Sequence, residues 1–238
     1  MDITELDIYY FNHEIIIKRG YSLTFQKQLV SSLRLFYRYV HCIELELSEL
    51  SRPRNVRHLP LVLSKREIEM IINSIKNVKH KTMVSLTYSC GLRVGELMRL
   101  KIKDIDSERG LIWVRQSKGN RDRSVNLSPN VLELLRKYYK QWLPLNYLFE
   151  GQNGNEYSTK SFNSVLKRAC NNARIDKRVT AHTLRHSYAT HLLESGVDLR
   201  YIQVLLGHRS SKTTEIYTHV STKMIENITS PIDSLNVF

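Results

Sequence analysis

Apolar side chains recur at three- and four-residue intervals over most of this chain, the spacing of one face of an α-helix. The first two such stretches are residues 5–18 and 22–42, parted at Gly20; in the second, Leu29, Leu33, Phe36, Tyr37 and Val40 carry the stripe. The pattern stops at 51–60, where SRPRNVRHLP adds basic residues, Pro53 and Pro60 and reads as a linker. Ser64 followed by Glu67 is a capping pair. The hydroxyl can accept from the third helical N–H while the glutamate accepts from the serine N–H, so a helix is expected over 65–76. A second is expected over 79–90, stopped by Gly91, and a third that opens after Leu92 and runs to about Leu100. The period then changes. LIWVR at 111–115 and RSVNL at 123–127, joined by QSKGNRD, read as a β-hairpin. Ser128-Pro129 opens a further helix carrying Leu132, Leu135, Tyr139 and Trp142, and helices near 158–172, 181–194, 199–206 and 212–227 complete the chain. The pattern predicts a mainly α chain with a small antiparallel sheet, an α+β class.

Charge adds a direction to this picture. The 238 residues carry 36 Lys and Arg against 23 Asp and Glu, a formal net charge of +13. Residues 1–58 hold 8 basic and 7 acidic side chains, so the excess sits in the remainder, 28 against 16. A chain so basic in one part is expected to meet a polyanion, nucleic acid before an anionic membrane. No run of 18 apolar residues is present, and the first residues are acidic before they are apolar, unlike a secretory leader. Cys42, Cys90 and Cys170 are odd in number and form no CxxC, so reduced thiols of a cytoplasmic protein are expected.

The chemistry concentrates in residues 179–221. His182 and Arg185 are three apart and share a helical face, with Thr180 placed to cap the helix. His182 then lies in the first turn, where free N–H groups and the positive dipole end suit a phosphate. Gly196 closes that helix, Asp198 caps the next, Gly207 ends it, and His208 follows; Ser210 or Ser211 caps a last helix presenting Tyr217. Phosphodiester cleavage needs a nucleophile, donors for the non-bridging oxygens and an acid for the departing oxygen. Arginine suits the donor role because its planar fork grips two phosphate oxygens and stays charged. Two arginines, two histidines, a lysine and a tyrosine could do this without a metal. His182, His186 and His191 share one helix, but no HExxH and no acidic ligand accompany them, so no metal is expected. His186 is expected to be packed and His191 exposed, with Tyr139, Tyr188 and Tyr201 as packing residues.

These residues resemble those of the tyrosine recombinases, the phage-integrase family of site-specific DNA recombinases. HTLRH (182–186), LLGH (205–208) and TTEIYTH (213–219) match the family's C-terminal signature; GLRVGEL (91–97) resembles its first-arginine box and SKGNRDRSV (117–125) its lysine box. The resemblance implies that Arg93 and Arg185 bind the scissile phosphate and that Lys118 is the general acid for the departing 5′ oxygen. It implies that His182 assists proton transfer at the tyrosine and that His208 donates a hydrogen bond to the phosphate. Tyr217 would be the nucleophile, forming a 3′-phosphotyrosyl link, and Glu96 a supporting acidic residue. No cofactor is implied.

By the same resemblance, residues 1–50 correspond to part of a helical, SAM-like core-binding domain, whose usual first helices have no counterpart. Residues 51–60 are a basic linker, 61–229 the catalytic domain and 230–238 a tail that docks on a neighbouring subunit. The expected partner is double-stranded DNA, bound by a homotetramer, with accessory DNA-binding proteins in some systems and a cytoplasmic, nucleoid-associated location. Recombination through a Holliday junction, as in integration, excision or resolution, is the implied function. The alternatives are DNA relaxation of the type IB topoisomerase kind and a catalytically incompetent DNA-binding remnant.

Overall fold

The computed structural model describes residues 4–45, 47, 50, 59–115 and 122–218. The chain divides into two compact units, Met1–His58 and Leu59–Phe238. Lys118, the tail over 230–238, most of the 51–60 linker and the second half of the helix expected over 212–227 lie outside the described residues.

In the first unit, α1 (Glu5–Phe11) starts at Thr4, whose hydroxyl accepts from the N–H of Asp7. It runs on as a π-helical stretch over Asn12–Ile17, so the stripe expected over 5–18 is not one regular α-helix. The wider turn keeps Asn12 buried, where its side-chain oxygen accepts from Gln26 of α2 (Leu23–Val40) at 2.9 Å. The buried face of α2 also differs from the expected one. Tyr37 is buried and Val30 and Leu33 pack beside it, whereas Phe36 and Val40 are exposed.

In the second unit, α3 (Lys65–Asn73) begins with the expected reciprocal cap. The Ser64 hydroxyl accepts from Glu67 N at 3.1 Å, and Glu67 accepts from Ser64 N at 2.8 Å. Next come α4 (Val78–Ser89) and α5 (Val94–Arg99). The hairpin strands β2 (Leu111–Val114) and β3 (Arg123–Asn126) pair antiparallel, Ile112 opposite Val125. A two-residue strand β1 (Ile105–Asp106), too short to show a period, adds a third strand beside β2. Helices α6 (Pro129–Trp142), α7 (Thr159–Asn172), α8 (Ala181–Glu194) and α9 (Leu199–Leu206) follow. The described part of the expected last helix is two 3₁₀ turns, Ser211–Thr213 and Glu215–Tyr217, rather than α-helix. Ile71, Leu86, Leu97, Ile112, Phe149, Phe162 and Leu184 are fully buried in one core, which seats α4 and α8 and with them the residues described next.

Candidate active site

The site is organised on the C-terminal end of α9. A helix leaves its last four carbonyls without intrahelical donors. Two are satisfied by the turn that follows: Gly207 N donates to Val204 O at 2.9 Å and His208 N to Gln203 O at 3.1 Å. This turn needs the left-handed backbone of Gly207, at φ +63°. The next three carbonyls each take an arginine. Leu205 O accepts from Arg123 Nε at 2.8 Å, Leu206 O from an Arg185 Nη at 2.5 Å, and Gly207 O from an Arg93 Nη at 3.3 Å. The negative end of the helix dipole thus offsets the mutual repulsion of three cations. Gly207 is constrained twice, since a Cβ there would stand 3.2 Å from the Cδ and Nη1 of Arg123.

Glu96 lies among the same guanidinium groups and is almost wholly buried. Its carboxylate accepts from both Nη atoms of Arg123, at 2.9 and 2.8 Å. It also accepts from Arg93 Nη1 at 2.7 Å and from Arg93 N at 2.9 Å, which caps α5. Burial alone would raise its pKa; the hydrogen bonds and charges of Arg123, then Arg93, outweigh that and bring it to about 2. Arg185, 3% exposed, is further held by Gly91 O at 2.6 Å. Burial first, and then the neighbouring Arg93, lowers its pKa to about 10, which leaves it charged at neutral pH. Two of its five N–H donors meet carbonyls, and a carboxylate oxygen of Glu96 lies 3.9 Å from one of its Nη atoms. Gly91 has φ +58°, and a Cβ there would lie 2.4 Å from the ring of Tyr188, so the turn that delivers its carbonyl to Arg185 requires glycine.

Tyr217, in the second 3₁₀ turn, is 1% exposed. Its hydroxyl lies 3.0 Å from Nδ1 of His186. Its ring is nearly parallel to that of His208, with centroids 6.5 Å apart. Burial raises its pKa, against the opposing field of Arg185 and Arg93. His208 is oriented by Thr214, Nδ1 to Oγ1 at 2.9 Å, and burial followed by the arginine charges lowers its pKa to about 4. Of the residues singled out from the sequence, Arg93, Arg185, Glu96, His208 and Tyr217 are thus joined by contacts and fields. His182 is exposed in the first turn of α8, its ring 6.4 Å from that of His186. Among the described residues, the tyrosine hydroxyl has His186 rather than His182 as its hydrogen-bond partner. His191, expected on the surface, is buried and takes a 2.8 Å hydrogen bond with the Tyr88 hydroxyl. Tyr139 and Tyr201 are exposed, not packed. Among the described residues no group of three metal-ligating side chains occurs.

Arg123 escaped the sequence reading, although a signal was present. In β3 it shares the inward face with Val125, and Leu127 continues that face; all three are buried. A charged residue at an inward strand position needs a buried counter-ion, and Glu96 supplies it.

The second unit matches what is known of one family. A profile of the phage integrase family matches residues 62–224. Tyrosine recombinase XerA of Pyrococcus horikoshii is 36% identical over 210 residues, covering 87% of this chain and 73% of that protein. Tyrosine recombinase XerD of Proteus mirabilis is 32% identical over 243 residues, covering 95% and 77%. Across eight curated relatives the chain spans 61–77% of the relative's length. Among solved structures, XerH bound to a palindromic difH substrate in a post-cleavage complex superposes with a TM-score of 0.77 at 26% identity, over 94% of this chain and 71% of that one. The chain therefore belongs to the phage integrase family, as a tyrosine-type site-specific recombinase.

Proposed function

We propose that this recombinase cuts and rejoins double-stranded DNA through a 3′-phosphotyrosyl link on Tyr217 and completes exchange through a Holliday junction. The observation that supports this most is the set of guanidinium groups fixed on the end of α9, whose field reaches the Tyr217 hydroxyl. Arg93 and Arg185 would grip the non-bridging oxygens of the scissile phosphate. Charge that develops there meets donors already in place, which favours the transition state over the ground state. Glu96 and Arg123 would hold those two arginines in position. His208, with Nδ1 turned to Thr214, would present Nε2 to the phosphate. Lys118 would protonate the departing 5′ oxygen, and His182 would assist proton movement. The phosphotyrosyl link conserves the energy of the broken bond, so resealing needs no nucleotide cofactor. Activity would require a DNA-bound homotetramer on the nucleoid, with residues 1–50 and the 51–60 linker adding contacts to the DNA backbone and residues 230–238 docking on a neighbour.

The test is a nicked suicide duplex, in which cleavage releases a short strand and traps the adduct. The unaltered chain should give a denaturant-resistant protein–DNA product whose labelled peptide contains Tyr217. Tyr217→Phe should give none while binding DNA normally, because Phe keeps the ring and lacks the attacking oxygen. An adduct in the Phe variant would displace Tyr217 as nucleophile; no adduct from the unaltered chain would support a binding remnant instead. Lys118→Ala should slow cleavage of an ordinary phosphodiester and spare one with sulfur at the 5′ bridging position, since sulfur leaves without a proton.

A further inference from the structure

Cleavage by a tyrosine requires that its hydroxyl lose a proton as the oxygen–phosphorus bond forms. Tyr217 is buried, and its hydroxyl meets one described side chain, His186, at Nδ1 and 3.0 Å. The two rings pack with centroids 5.6 Å apart, so the contact is held by the side-chain bodies as well as by the hydrogen bond. His186 occupies the turn of α8 after His182 and immediately follows Arg185. The helix that fixes the phosphate-binding guanidinium therefore also fixes the imidazole.

We infer that His186 is the proton acceptor for Tyr217 in strand cleavage, and the donor that returns the proton on resealing. The inference rests on the reading of Tyr217 as nucleophile. In the forward step the Tyr217 oxygen bonds to phosphorus, the bond from phosphorus to the 5′ oxygen breaks, and the tyrosine proton passes to Nδ1 of His186. The departing 5′ oxygen takes its proton from the general acid, for which Lys118 is proposed. Resealing reverses each transfer, so atoms and charge balance over the cycle.

The surroundings suit this role. Among the described residues, the charged and titratable groups facing His186 are His182 and Arg185 on its own helix, Tyr217 on the 3₁₀ turn and His208 after α9. Burial, then His182 and Arg185, lowers its pKa to about 4, so at neutral pH the ring is uncharged and Nδ1 can accept. A phosphodiester on Arg93 and Arg185 would neutralise part of the positive field that depresses this base. Its basicity would then rise when substrate is in place.

Single-turnover cleavage of the suicide duplex tests this with the full chain. His186→Ala should slow adduct formation about 100-fold or more, with DNA affinity little changed, since contacts to the phosphates come mainly from other side chains and backbone N–H groups. Free imidazole should restore part of the rate. His186→Asn puts an acceptor near the place of Nδ1 but cannot hold a proton, so it too should stay slow, and the acid limb of the pH–rate profile should vanish in both variants. The Asn variant also carries the test if the Ala variant does not fold. Full-rate cleavage by His186→Asn, an unchanged acid limb or failure of imidazole rescue in a folded Ala variant would overturn the inference. Tyr217→Phe is run in parallel. An adduct in that variant sinks the nucleophile reading, whereas loss of the adduct there with normal rates in both His186 variants sinks only the role of His186.

Discussion

Replacing Glu96 by glutamine should destabilise the second unit by about 3–5 kcal/mol at neutral pH, the usual effect of removing one partner of a buried ion pair. The carboxylate accepts four hydrogen bonds, two on each oxygen, from Arg93 and Arg123. Glutamine keeps one oxygen and turns an NH₂ toward two donors. Two charge-assisted bonds are lost, each contributing about 1.5–3 kcal/mol, and donor faces donor. Linkage gives an independent figure. The folded pKa is about 2 against an ordinary 4.5, and that difference corresponds to about 3 kcal/mol. Because the folded value is depressed, this stability is fully present above about pH 4.5 and is lost as pH falls through about 2. Protonated glutamate resembles glutamine in charge, so the gap between the two chains should be full at pH 7 and narrow steadily below pH 4.5. Urea unfolding of both chains at several pH values measures it. A gap under about 1 kcal/mol at pH 7, or one that does not narrow in acid, would refute the argument, since the linkage relation ties the gap to the titration of this carboxylate.

Three more outcomes follow from the same geometry. Gly207→Ala should cost about 1–2 kcal/mol for its left-handed backbone and should slow cleavage more than it weakens DNA binding, because the new Cβ displaces Arg123; urea midpoints and adduct rates check both. Stability of the unaltered chain should fall as pH drops from about 6.5 toward 4, because unfolded histidines bind protons that buried His186 and His208 resist; His208→Gln should flatten part of that slope in a thermal-shift series. DNA binding should weaken steeply with salt, with a log–log slope of about −5 if some six phosphates are neutralised; filter binding at several salt concentrations measures it, and a flat response would show that the basic excess lies elsewhere than on DNA.

What the sequence made legible was whatever depends on short-range spacing. The Ser64 and Glu67 cap, the Gly91 stop and the helices bearing Arg185 and preceding His208 lie where local rules put them. Contacts between elements were harder to read. Nothing local says that Tyr217 meets His186, 31 residues earlier, rather than His182, because i and i+4 share a helical face and only packing chooses between them. The π-helical stretch at Asn12–Ile17 was illegible for a similar reason: it serves a buried hydrogen bond to Gln26, fourteen residues on. Arg123 was the avoidable omission, since the two-residue period of β3 places it beside Val125. The 3₁₀ turns around Tyr217 replace an expected helix where the chain turns Thr214 back to His208, a bond that α-helical periodicity cannot express.

The end of α9 explains how residues so far apart in sequence come to act together. Arg93 belongs to the cap of α5, Arg123 to β3 and Arg185 to α8, yet they are registered on three successive carbonyls, those of Leu205, Leu206 and Gly207. Successive carbonyls at a helix end diverge around its axis, so each arginine approaches from its own side and none competes for the same acceptor. The scaffold is backbone, but it is seated by the fully buried side chain of Leu206, which packs with Ile202 and Tyr217, and it turns on Gly207. Charge is matched as well. Three guanidinium groups against the single carboxylate of Glu96 leave two positive charges, partly offset by the helix dipole. A bound phosphodiester carries one negative charge, and the pentavalent phosphorane of the proposed reaction carries two. The residual field is therefore closer to complementary for the transition state than for the bound substrate, which is the condition for binding energy to appear as rate.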